Sequence, residues 1–375
     1  MRFTIRKTIM TLSIMTVLPL SVALTLASPA RQGRHADHYH IKALPGLGGG
    51  ENSVAFAISS SGLVVGQANA NGYAHAVLWD HDAVTDIGVL PDNMSSFGHG
   101  VNRNGDVVGR SEGGNRSEFP GFVWTRQDGA TDLPLLTGGR DGYAMAINDQ
   151  GQSVGWSNST STRRAVMWQA GQIRLLNSKP DAAEQSEAYA INSKGHAVGM
   201  AWVLEPLKPD PSFIAGNRFV PNYPHAFLWK EGVAIDLGVP VGFKSSIATA
   251  ISDTGDVAGY AVRSTEDRFT QALLWHEGKW SLLETPPDQN SRANAINSHG
   301  VVVGYVGDFR EQAASFAWKT RAVLWDRGKV IDLNSLIPAD SGWLLTEANG
   351  INDAGQIVGA GRYKGARRAF LLTPD

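Results

Sequence analysis

From residue 38 onward the chain alternates short apolar runs with clusters of Gly, Asn, Asp and Ser, and nowhere sustains the spacing of an amphipathic helix. One phrase recurs seven times: an apolar residue, Asn or Ser, two variable residues, Gly, three residues, Gly. Its copies begin at Ile58, Val101, Ile147, Ile191, Ile251, Ile296 and Ile351, and end at Gly66, Gly109, Gly155, Gly199, Gly259, Gly304 and Gly359. The first half reads as a hairpin turn, because Asn or Ser bonds its own backbone and Gly takes the left-handed conformation that closes the loop. β-Branched pairs such as Val64-Val65 and Val302-Val303 then suit a strand. An apolar run ending in Trp follows six copies, at Trp79, Trp124, Trp168, Trp229, Trp275 and Trp325, with Leu372 in the seventh place. Such a run suits a strand covered on both faces. A last phrase, clearest at Asp86-Ile87-Gly88 and Asp236-Leu237-Gly238, closes the unit.

Four strands, a to d, in a unit of about 44 residues predict propeller blades. Residues 38–46 look like a strand d without its c, and Phe370-Leu371-Leu372 looks like a strand c without its d. The expected fold is all-β: a seven-bladed propeller with four-stranded blades, closed by pairing the N-terminal strand d with the C-terminal strands a–c. That pairing removes a sheet edge. The propeller is expected to span 38–375 as one domain.

These phrases resemble the HAF repeat family of exported bacterial proteins, whose name spells His-Ala-Phe. The triplet is present literally at His225-Ala226-Phe227 and nearly so at His75-Ala76-Val77. The resemblance covers roughly residues 39–375 and implies the repeat, not a shared reaction. The third and fifth units depart from it, with Arg174-Leu175-Leu176 and Ser281-Leu282-Leu283 where Asp-Leu-Gly is expected, so altered outer strands are expected there.

The 375 residues are 42% hydrophobic and 18% charged, with a formal net charge of −2. A large core follows, and no basic stripe suggests nucleic acid as a partner. The absence of Cys excludes disulfides, thiolate metal sites and a Cys nucleophile. Arg2, Arg6 and Lys7 precede an uncharged apolar stretch and the small residues Ala27, Ser28 and Ala30. Residues 1–27 therefore read as a signal peptide cleaved after 27 or 30, which implies a secreted, periplasmic or extracellular monomer without a membrane span. An uncleaved anchor is the alternative, since the stretch is just long enough to span. No cofactor or metal is expected, and His35, His38 and His40 read as an exposed tail.

With strands a to d running from centre to rim, the b–c and d–a connections share one face, and the length variation falls there. Function usually sits on such loops. The segment 202–224 carries Trp202, Arg218 and Tyr223, and aromatic and Arg residues are the usual anchors of binding. Trp156, Trp280, Trp318 and Trp343 fall outside the strand-c register and join them as ligand-binding candidates, the alternative being aromatics that pack on their own blades. A second set lies on strand a, two residues before the apolar anchor: Phe56, His99, Met145, Tyr189, Thr249, Asn294 and Asn349. His99 and Tyr189, with Tyr143, Asp141 and Arg140, are candidates for acid–base chemistry if they face a cleft. Inter-blade packing is the other reading. The strand-c tryptophans read as core, and Asp86, Asp132, Asp236 and Asp332 as acceptors for backbone donors at strand ends. Gly109-Arg110-Ser111-Glu112-Gly113 matches a hydrolase nucleophile pattern but lacks its strand–turn–helix context.

The function expected is a binding or scaffolding module for a surface glycan or protein. The alternative is a carbohydrate-active enzyme, a polysaccharide lyase or hydrolase with its site in the central cleft, and the motifs leave the choice open. A Tyr/His or carboxylate pair converging with Arg would mark the enzyme; an exposed aromatic platform would mark the binder.

Overall fold

The computed structural model describes residues 35–48, 52–160, 162–176, 185–204, 222–264, 269–308 and 319–375. The expected leader at 1–27, Arg218 and Trp318 lie outside the described residues. Those described form seven four-stranded antiparallel sheets. The innermost strands are Ser53–Ile58, Ser95–Val101, Gly142–Ile147, Ser186–Ile191, Ser245–Ile251, Asn290–Ile296 and Trp343–Ile351. Each touches the next, and the last touches the first, so the ring is a seven-bladed propeller. In the seventh blade Tyr39–Ala43 pairs with Ala366–Pro374, setting Ile41 opposite Leu372 and Ala43 opposite Phe370. The two chain ends thus complete one sheet, as the half-units require. No helix among the described residues is long and apolar enough to cross a membrane.

The repeated Asn does more than close its own turn. In the third blade Asn148 Oδ1 accepts the backbone N–H groups of Gln150 and Gln152, while its Nδ2 donates to the Asn192 carbonyl of the fourth blade at 3.1 Å. The same reach joins Asn102 to Asn148, Asn192 to Ser252, Asn297 to Asn352, and Asn352 back to Ser59 of the first blade. All seven residues at this position are buried, so the bonds are shielded from competing water. Ser59 and Ser252 keep the turn half of the motif by accepting from Leu63 and Asp256 N–H, but they lack an amide donor. At those two seams Ser61 Oγ donates to the Arg103 carbonyl and Thr249 Oγ1 to the Ala293 carbonyl instead.

The second glycine of the phrase has a different cause. Every inner strand carries a β-bulge at its variable residue, beginning with Phe56 between Ala55 and Ala57 and His99 between Gly98 and Gly100. Opposite the bulge, the strand-a carbonyl crowds strand b. A Cβ at Gly155 would lie 1.8 Å from the Tyr143 oxygen, and the six equivalent glycines meet the equivalent carbonyl at 1.9–2.0 Å. Only glycine fits there, at an ordinary negative φ.

On the rim, the His-Ala-Phe and Asp-Leu-Gly phrases prove to be two halves of one contact. His75 Nδ1 lies 3.0 Å from Asp86, His225 Nδ1 2.9 Å from Asp236, and Arg321 donates to Asp332 at 3.2 Å, each pair joining strand c to strand d. The same aspartates accept the N–H of Gly88, Gly238 and Asn334, the role expected of them. The third and fifth blades lack the Asp, yet their outer strands form at Gln172–Leu175 and Lys279–Leu282, against the expectation of altered strands. Leu176 and Leu283 keep their place because each is buried and donates its N–H to the strand-c alanine, Ala165 or Ala272. Trp79, Trp168 and Trp325 are buried, and their indole N–H groups donate to Pro45, Pro134 and Glu284 carbonyls of the segment entering the blade. In the fifth blade Trp280 of strand d makes the corresponding bond to Leu237, which explains a tryptophan out of register.

Gly155→Ala is expected to destabilise the fold by about 3 kcal/mol or to abolish it, through overpacking against a backbone atom. Gly151→Ala, at φ 73° with open space around it, should cost only about 1–2 kcal/mol of backbone strain. Denaturant unfolding of the two variants measures the difference.

Candidate functional site

Two residues before each bulge stands a side chain paired across the ladder with the residue that follows the second glycine. These pairs include Phe97 with Arg110, Tyr143 with Trp156, Ile247 with Tyr260, and Arg292 with Tyr305. Their neighbour on strand c is always small: Gly121 beside Arg110, Ala165 beside Trp156, Ala272 beside Tyr260, Ala322 beside Tyr305. The alanine of the His-Ala-Phe phrase thus makes room for a large strand-b side chain. The framework is constant at every blade, while these two positions and the bulge vary. All three lie toward the end of the blade that carries the b–c and d–a connections.

Across the first four blades the variable residues form a continuous arc. Phe56 stacks on His99 at 4.9 Å, and His99 Nε2 lies 2.5 Å from Tyr143 Oη. Tyr143 stacks on Trp156 at 6.0 Å, and the Arg163 guanidinium lies over the Trp156 ring at 4.2 Å. Arg163 Nη1 then bonds Glu187 Oε1 at 2.9 Å, and Tyr189 Oη donates to Glu187 Oε2 at 2.9 Å. In the last three blades the bulge residues are small and polar, and they link blades directly. Asn294 donates to the Ala348 carbonyl and Asn349 to the Ala55 carbonyl, both near 3 Å.

Burial, helped by the nearby Arg110 charge, lowers the His99 pKa from 6.5 to about 4. Burial raises the Tyr143 pKa to about 12, against the opposing pull of Arg110. At neutral pH the imidazole is therefore uncharged and the phenol protonated, and the tautomer of His99 sets which of the two donates in their hydrogen bond. Arg110 lies 5.2 Å from the Tyr143 ring centroid, with its Nε 3.2 Å from Glu112 and its Nη2 3.9 Å from Asp141. Burial and the adjoining Glu187 carboxylate push the Tyr189 pKa upward. Among the described residues no group of three or more His, Asp or Glu is placed to hold a metal.

The structure brings His99, Tyr143 and Asp141 together and places Tyr189 in the adjoining Glu187 cluster. Arg140 does not join them: its backbone N–H bonds Asn158 and its side chain is exposed, and Arg110 occupies the position beside Tyr143. Arg110 and Glu112 were visible only as parts of the Gly-x-Ser-x-Gly match. Ser111 between them is fully buried and donates to the Ser95 carbonyl, which removes it as a nucleophile. Trp156 is 4% exposed, sandwiched in the arc rather than presented as a platform. Trp343 stacks on Tyr363 at 4.8 Å and packs edge-on against Phe370. Trp202 and Tyr223 lie on the looped side of the fourth blade, where Lys244 Nζ sits 6.0 Å from the Tyr223 ring. The Trp202 Nε1 is buried with no hydrogen-bond partner among the described residues.

A family described as "Protein of unknown function (DUF3466)" matches residues 158–371, more than half of the chain. The chain belongs to the DUF3466 family. This corrects the expected membership of the HAF repeat family, for which no match is found. The reason is physical: the His of that triplet serves the rim contact with Asp, and Arg321 serves it equally in the sixth blade. The triplet is thus a solution to blade construction, not a mark of one lineage. No curated protein matches the DUF3466 chain. Among solved structures it is similar to the β-propeller domain of the Trilobed protease from Pyrococcus furiosus, with a TM-score of 0.53 and 10% identity over 91% of this chain and 95% of that one. It is similar as well to a streptogramin B lyase, with a TM-score of 0.52 and 11% identity over 91% and 100% of the respective chains. At such identities the likeness speaks for the fold alone.

A histidine held neutral makes stability depend on pH. Its folded pKa lies below the unfolded value, so the unfolded chain takes up the proton first, and stability falls as pH drops from 6.5 toward 4. The loss attributable to His99 should reach up to about 3 kcal/mol. Thermal unfolding of the parent and His99→Gln across this window should show the smaller acid sensitivity in the variant.

Proposed function

We propose that this DUF3466 protein is an exported ligand-binding propeller that takes a hydroxyl-rich ligand, a glycan, on the face of its b–c and d–a connections. One observation carries the reading: the chemical variety around the repeat's second glycine is gathered at three positions toward that face, while the residues flanking them are explained by blade construction. Aromatic faces there alternate with charges that are already paired, Arg163 with Glu187 and Arg110 with Glu112. Such a surface offers ring edges and hydroxyls together with donors and acceptors but little net charge, which suits the hydroxyls of a sugar. The cationic start and apolar stretch of residues 1–27 support export.

A second reading, an acid–base enzyme acting on polysaccharide, is favoured by the convergence of His99, Tyr143, Arg110 and Asp141, the arrangement by which an enzyme would be recognised. Glycan-array binding and a parallel assay for unsaturated uronate and reducing ends separate the two. The binder predicts retention of a glycan class, weakened about tenfold by Trp202→Ala, without turnover. Turnover that disappears in His99→Ala would establish the enzyme instead, and retention of no glycan together with no turnover would reject both.

A further inference from the structure

Away from the aromatic arc, a cavity of about 590 Å³ opens where the first, sixth and seventh blades meet. Gln67 of the first blade, Thr320 of the sixth, and Glu347, Arg362 and Arg367 of the seventh are among its polar lining residues. Arg367 is held by Glu347, which neutralises both. Arg362 is exposed and makes no ion pair among the described residues, so the described part of the lining carries one uncompensated positive charge. Arg362 stands three positions after Gly359, as Trp202 stands three after Gly199, so both project from the same step of strand b.

We infer that this cavity binds an acidic sugar, a uronic acid unit of a glycan; the inference rests on the glycan reading above and names its chemical class. A planar carboxylate matches the guanidinium fork of Arg362 through two parallel hydrogen bonds. Sugar hydroxyls need acceptors as well as donors, and the Glu347 carboxylate, the Gln67 amide and the Thr320 hydroxyl supply both. The volume lies within the range of small-ligand sites. The cavity also straddles the seam at which the first blade meets the blade completed by the N-terminal strand. A ligand held by Gln67 on one side and Arg362 on the other therefore joins the first blade to the last, and binding to the folded ring alone raises its unfolding temperature.

Calorimetric titration and thermal unfolding of the full chain with oligogalacturonate and with a neutral oligosaccharide of equal length test this. The acidic sugar is expected to bind at least tenfold more tightly than the neutral one and to raise the unfolding midpoint. Arg362→Gln, an exposed change that leaves the ligand-free midpoint in place, should remove that preference, and Gln67→Ala should weaken binding several-fold. Equal affinity for both sugars, or an Arg362→Gln protein that binds oligogalacturonate as tightly as the parent, would overturn the inference and leave the glycan reading intact. Binding of neither sugar would count against both.

Discussion

A ring of separate sheets exists only if every sheet is tied to the next, and here the buried Asn at the a–b turn makes most of those ties. A carboxamide is the smallest neutral side chain that carries a strong acceptor and a strong donor on one rigid plane. Its oxygen satisfies the turn and its nitrogen reaches the neighbouring blade, so the conformation of each hairpin is fixed together with its position in the ring. Buried polar groups left unmatched are costly, and this makes the arrangement cooperative: pulling one blade away strands an amide in one blade and a carbonyl in the next. The two serines show which half is indispensable. Turn closure is kept at Ser59 and Ser252, whereas the inter-blade half is handed to Ser61 and Thr249.

The bulge is the second constraint, and it is what lets a structural repeat carry chemistry. Within a regular ladder each side chain belongs to one face of the sheet. The extra residue of a bulge leaves the ladder and bends the strand, turning His99, Tyr189 and their equivalents away from the core that the flanking Ala and Gly residues pack. The cost falls on strand b, which must offer a glycine to the displaced carbonyl. One glycine per blade thus permits one freely variable side chain per blade.

Much of this was legible in the chain. Seven copies of the turn phrase, an apolar residue, Asn or Ser, two variable residues and Gly, together with the incomplete units at 38–46 and 370–372, specify blade number and closure, because turn chemistry and hydrophobic alternation are local properties that a sequence displays directly. The variable strand-a residue also stood out, since its neighbours are uniformly small. Three things were hidden for a common reason, that they depend on atoms from different repeats or strands. Arg110 beside Tyr143 is a contact between blades; the rim pairing of His225 with Asp236 spans eleven residues; and the second glycine answers a carbonyl on the opposite strand. Trp156 misled in the same way: a tryptophan out of register suggested a ligand platform, but it is buried, with Tyr143 stacked on it and the Arg163 guanidinium over its ring.

The sevenfold framework is nonetheless used unevenly, and the unevenness follows from what each bulge residue must do. In the fifth to seventh blades Thr249 Oγ1 and the amide nitrogens of Asn294 and Asn349 donate to the next blade's backbone. In the first four blades Phe56, His99 and Tyr189 contact other side chains instead, and the ties to neighbouring backbone come from other positions, the Asn turns, Ser61, Ser96 and Ser186 among them. A side chain released from holding the ring is free to be tuned by burial and by neighbouring charge, as the depressed His99 and raised Tyr143 pKa values record. The half of the ring rich in perturbed groups is therefore the half whose bulges are spared the task of linking blades. In the other half, it is residues one step further along the blade, such as Arg362, that carry no inter-blade bond among the described residues.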